Sequence, residues 1–187
     1  QVGLSHDTVD EGGERQSRLN PRLGLLWEMS PDTTVRAAAS RTSKRNFVAN
    51  QTLQPSQLAG FSQYFDDPNG TVSRRAGVAV HHRLSGNTYV GGEWSARHLD
   101  VPNFPGDPAF RWNERFGRAY VYRFLNTRTA MTAELQVERL RRPADNTGNE
   151  GFTDLKTVFL PLSLRRHGPG GWSAVVHLTA VRQKARH

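Results

Sequence analysis

The sequence predicts an all-β chain of antiparallel strands joined up-and-down, and three observations carry that expectation. Eight segments, with a ninth at the start, alternate apolar and polar residues with a period of two. Tight turns and long connections follow one another between them. No stretch calls for a helix, and none reaches the ~18 apolar residues that a spanning helix needs.

The segments are taken in order. Residues 1–8 (QVGLSHDT) open the series, followed by 20–29 (NPRLGLLWEM) and 34–43 (TVRAAASRTS). Leu23, Leu25 and Trp27 alternate with Arg22, Gly24 and Glu28, although Leu26 interrupts. Segments 72–84 and 88–99 come next, then 114–125, where Arg118 shares parity with Phe116, Tyr120, Tyr122 and Phe124. In 129–140, Met131, Ala133, Leu135 and Val137 alternate with Thr132, Glu134, Gln136 and Glu138. In 153–166, Val158, Leu160, Leu162 and Leu164 share one parity, and Pro161 removes a ladder donor, which calls for a bulge or a shifted strand. Segment 172–182 repeats the pattern through Trp172, Ala174, Val176 and Leu178.

The tight turns are SPDT (30–33), SGNT (85–88), NTRT (126–129) and HGPGG (167–171). The long connections are 9–19, 44–71, 100–113 and 141–152. Strict alternation of short and long is the habit of a transmembrane β-barrel, with short periplasmic turns and long extracellular loops, whereas sandwiches mix their loop lengths. The 187 residues then form part of one outer-membrane β-barrel domain, about eight or nine strands of a larger barrel. An open sheet edge cannot face lipid, so further strands are expected, and the terminal RQKARH is read as a truncation or a loop start. Gln1 opens without a signal peptide, so targeting has been removed or the chain starts within a longer protein.

Composition narrows the chemistry. The hydrophobic fraction is 36% and there is no cysteine, which excludes disulfides, thiol catalysis and Cys-based zinc sites. A formal net charge of +8, carried mostly by arginine, predicts attraction to anions. No G-x-S-x-G, H-E-x-x-H or Walker motif is present, so no enzyme activity and no cofactor are expected. His81 and His82 are adjacent and point to opposite faces of a strand, and DDPNG lacks the spacing of a calcium loop, so no metal is expected. The arginines are spread at strand parity without interleaved stacking aromatics, which argues against nucleic acid.

The stretch LNPRLGLLWEMSPDTTVRAAASRTSKR resembles a hairpin of TonB-dependent-receptor-like outer-membrane barrels, and NQTLQPSQLAGFSQYFDDPNGT with the hairpin after it is similar to a receptor-like branch. Members of that branch sometimes carry tetratricopeptide repeats ahead of the barrel. The resemblance implies a bacterial outer-membrane receptor or transporter segment that passes a small or polymeric solute without covalent chemistry. Its implied partners are outer-membrane lipid and, through upstream sequence, TonB-type energy coupling or a periplasmic repeat domain.

Candidate residues follow from parity and loop position. Arg22, Arg36, Arg75, Arg83, Glu93, Arg97, Glu134 and Glu138 fall on the lumen-facing parity, with Glu28 and Arg165. They form either a basic water-filled wall or mutually satisfied Arg–Glu pairs. Phe61, Tyr64, Phe65, Asp66 and Asp67 in the long loop 44–71 are candidates for ligand contact, and Trp112 in loop 100–113 for stacking a sugar. Trp27, Trp94, Trp112, Trp172, Tyr120 and Tyr122 read as interface girdle anchors. Parity also predicts that Leu135→Arg blocks assembly while Glu134→Gln is tolerated. Two other readings fit the pattern: an export channel for an anionic exopolysaccharide, and a soluble basic all-β binding module whose apolar face packs on a second sheet.

Overall fold

A computed structural model describes residues 1–11, 14–44, 57–62, 67–103, 109–143 and 153–187. Eleven strands are present and no helix among these residues: β1 (Val2–Glu11), β2 (Glu14–Ser30), β3 (Thr33–Ser43), β4 (Gln57–Leu58), β5 (Phe61–Ser62), β6 (Val72–Ser85), β7 (Thr88–Val101), β8 (Phe110–Asn126), β9 (Thr129–Arg141), β10 (Asp154–His167) and β11 (Ser173–Arg186). Nine of them form one antiparallel sheet in the order β1-β2-β3-β6-β7-β8-β9-β10-β11, each long strand pairing with its neighbours in sequence, and β4 pairs with β5. The sheet is open, with β1 and β11 at its two edges.

The period-two segments become strands because alternation suits a pleated ribbon with unlike faces. Three boundaries differ from the sequence reading. Residues 9–19 are not a long connection: β1 and β2 pair from Val2↔Leu23 to Glu11↔Glu14. Their polar composition imitates a loop, yet the ladder needs only backbone, and Asn20 Nδ2 donates to Asp7 Oδ2 at 2.5 Å to tie the strands. β8 begins at Phe110, which shortens the 100–113 connection and puts Trp112 in a strand, opposite Leu99. Residues Arg182–Arg186 continue β11 against Asp154–Val158 and are not a loop.

Pro161 sits inside β10 without a bulge. Ladder pairing with β9 lapses after Phe159↔Gln136 and resumes at Leu162↔Ala133 in the same register, while the β11 side pairs Pro161↔Thr179. The missing N–H opens a gap in one ladder only.

Directly paired residues share a face. Leu25, Ala37, Val78, Trp94, Val137 and Val158 belong to one cross-strand row, and Trp27, Val35, Val80, Leu135 and Leu160 to the next. Most of these large apolar groups are exposed, Trp27 at 53% and Leu135 at 45%, while Val35, Val137 and Val158 are half-buried. The opposite face carries Arg–Glu pairs and is partly covered by β4 and β5, whose Leu58 and Phe61 are buried together with Ala59 of the turn between them. The chain exposes 12824 Å², against about 9000 Å² expected for a globular chain of 21.0 kDa. The uncovered apolar groups contribute to the excess.

Candidate functional site

The polar face is organised in rows across the strands. One row reads Gly24–Ala38–Gly77–Ser95, four small residues on adjacent strands β2, β3, β6 and β7. The row above contains Arg22, Ser40, Arg75, Arg97 and Glu114, and the row below Leu26, Arg36, Ala79, Glu93 and Arg118. The small row makes a shallow seat between two charged rows.

The hairpin β4–β5 occupies that seat. Its two-residue turn has Ala59 at φ 47° and Gly60 at φ 80°, the pair of positive values that joins strands of native twist. Alanine is unusual there. Arg36 Nη1 donates to Ala59 O at 2.9 Å and Ala59 N donates to Gln1 Oε1 at 2.9 Å, which holds the strained residue in place. A Cβ on Gly24 would stand 3.0 Å from Leu58 Cδ1, and one on Gly77 3.0 Å from Phe61 Cε1. Phe61 is 2% exposed, with the Arg36 and Arg75 guanidinium carbons 5.1 and 5.7 Å from its ring centroid. Arg75 also donates to Ser62 O. Gly77 lies five residues along β6 from Val72, so the hairpin reaches about 16 Å down the sheet from its long-connection end.

Phe61, among the candidates for ligand contact, is enclosed in this structure by two arginines and the glycine seat. Asp67 accepts from Arg97 Nη2 at 2.6 and 2.8 Å and tethers the segment after the hairpin. Tyr64, Phe65 and Asp66 lie outside the described residues. Trp112 faces the same side as Leu99, with Arg142 6.0 Å from its ring centroid. It is a strand residue under a guanidinium, not a loop platform.

Arg22, Arg36, Arg75, Arg83, Glu93, Arg97, Glu134 and Glu138 all lie on this face, with Glu28 and Arg165. So do Tyr120 and Tyr122, which removes both, and Trp112, from any girdle on the other side. The arrangement is one of mutual neutralisation. Arg97 Nη1 reaches Glu114 at 2.6 Å in addition to Asp67. Arg36 and Arg75 flank Glu93 at 3.9 and 4.0 Å. Glu134 accepts from Arg118 Nε at 2.9 Å and Nη2 at 2.7 Å, from Tyr122 Oη at 2.9 Å and from Gln136 Nε2 at 3.0 Å. Four contacts make Glu134→Gln a costly change, contrary to the reading from parity alone. His81 accepts from Arg36 Nε at 2.7 Å and pairs with Tyr120, while His82 bonds Thr33 Oγ1 at 2.9 Å on the other face. Gly91 lies opposite Tyr120, and a Cβ there would sit 2.3 Å from the phenol oxygen.

A cavity of about 630 Å³ opens beside the hairpin, against β6 to β10. From this face Arg75, Arg97 and Arg118 line it, with Asp67, Glu93, Glu114 and Glu138. With Arg115 and Arg139, which also border it, five cations meet four carboxylates, so the wall is close to balanced. Among the described residues no three His, Cys, Asp or Glu side chains gather to hold a metal.

No family model, no curated protein and no solved structure matches the chain. Its reading rests on its own geometry. That geometry offers a polar surface whose charges pair with one another and which an inserted hairpin partly covers.

Proposed function

We propose that this chain is part of an outer-membrane β-barrel resembling TonB-dependent receptors, through which a solute passes without covalent chemistry. The observation that carries the proposal is the apolar belt. Across the long strands one face presents large side chains left roughly half exposed, from Leu19 to Trp27 on β2 and from Val78 to Leu84 on β6. Those spans are about 20–26 Å along the strand, close to the ~25 Å lipid-facing band of such barrels.

On this reading the polar face lines the lumen, and the inserted hairpin narrows it at the level of the belt. The remaining passage beside it is polar and close to electrically balanced, which suits a neutral or zwitterionic solute better than a polyanion and weighs against the exopolysaccharide channel. Energy coupling of the TonB type belongs to the resemblance alone.

The test is gel mobility of the parent protein from isolated outer membranes, unheated and then boiled in detergent. A folded barrel resists cold detergent and shifts on boiling. A folded protein that stays soluble without detergent and shows no shift would favour the basic binding module, with a second sheet over the apolar face.

A further inference from the structure

Much of the positive charge sits on the apolar face, densest on four strands at the long-connection end. Arg115, Arg139, Lys156 and Lys184 occupy directly paired positions on β8, β9, β10 and β11. The next row outward holds Arg141, Asp154 and Arg186, and Arg182 stands one row inward opposite Val158. Seven cations thus share one carboxylate, Asp154, which bridges Arg139 and Arg141. On β2, β3, β6 and β7 the row continuous with the first is Leu23, Ala39, Ala76 and Ala96. That first row is therefore local, whereas the row outward from it continues through His98 to Arg74 and Arg41 on β6 and β3, where Arg74 pairs with Asp100.

Such a row is unfavourable by itself. Like charges directly opposite on neighbouring strands stand about 5 Å apart at Cβ and repel. A solvated surface gains nothing from four cations in line, so the arrangement calls for an anion with several charges. Position identifies it. The next two rows down the same face carry Val137 and Val158, then Leu135 and Leu160, about 7 and 13 Å away. A ligand that satisfies both parts has phosphate groups above and hydrocarbon below.

We propose that this patch binds the phosphorylated headgroup of a lipid in the leaflet at the long-connection end, with its acyl chains against β9 and β10. The proposal rests on the membrane-barrel reading. Lysine and arginine stems reach along the belt edge while their heads stay at headgroup level.

The experiment uses the full chain purified in neutral detergent and mixed with phosphatidylcholine micelles containing lipid A, a bis-phosphorylated glycolipid. Retained lipid is counted by native mass spectrometry. The wild type retains lipid A over phosphatidylcholine, and K156Q/K184Q weakens that retention about thirtyfold, at about a factor of five per cation near an anionic surface. Arg166→Gln, a cation on the same face at the short-turn end, leaves retention unchanged. Because K156Q/K184Q removes repulsion, it also raises unfolding resistance in neutral detergent, so loss of folding cannot imitate the result. Equal retention of both lipids, or an indifferent double variant, overturns the proposal. Displacement of lipid A by millimolar inorganic phosphate overturns the assignment to lipid. Absence of the heat-dependent gel shift in the wild type overturns the barrel reading, whereas a shift without lipid A preference overturns this inference alone.

Discussion

Arg97 on β7 and Lys156 on β10 are both cations in the middle of an antiparallel sheet. Arg97 is 5% exposed, with Asp67 and Glu114 each 2.6 Å from its guanidinium. Lys156, on the other face, is exposed and has Arg139 and Lys184 on its flanking strands. One face resolves its charges within the chain, through pairs, cation–aromatic stacking and an inserted hairpin. The other leaves both its hydrocarbon and its cations to the surroundings. The contrast teaches that a strand's two parities answer to two solvents, and that net charge says little until it is assigned to a face.

The largest effect should come from breaking the self-sufficient side. Arg97→Met leaves the half-buried Asp67 and Glu114 without their shared, buried cation and should cost up to about 3–5 kcal/mol. Chemical unfolding followed by the heat-dependent gel shift measures it. A midpoint equal to wild type would show that the polar face does not depend on its internal pairs.

The second test sets the two faces side by side on one strand. Leu135→Arg places a cation in the exposed apolar row and should cost about 2–4 kcal/mol at the middle of a bilayer, seen as loss of folded barrel from outer membranes. Thr132→Arg, on the polar face opposite Tyr122 and Ser163, should assemble normally. If both variants assembled alike, the apolar face would not be a lipid face.

Much of this contrast is legible in the sequence, because a period of two assigns strands and faces together. Nine strands, four tight turns and the shared face of the arginines and glutamates follow from alternation alone. Arg118 shows the limit. Its parity with Phe116 and Tyr120 leaves its face open in the sequence, and the register against Glu93 and Gln136 places it on the polar side, where it meets Glu134. The hairpin seat was hidden for a related reason. Gly24, Ala38, Gly77 and Ser95 are scattered along the chain and become a row only through register. The cation row of β8–β11 is dispersed in the same way. The two strands of the hairpin span two residues each, too few for periodicity to register.

The smallest effect should come from a pair whose geometry equals that of Arg97. Arg83 Nη2 lies 2.5 Å from Asp32 Oδ1, and Arg83 Nε donates to the same oxygen at 2.6 Å. Both side chains are 46% exposed, so water competes for each group and the ion pair adds little to stability. The turn at Pro31–Asp32 is held independently by the backbone, where Arg83 N donates to Asp32 O at 2.8 Å. Arg83→Gln should therefore leave the unfolding midpoint unchanged within error, although its contact distance is as short as that of Arg97. A drop comparable to that of Arg97→Met would mean that the short-turn end is shielded from water, and that burial does not separate the two sites.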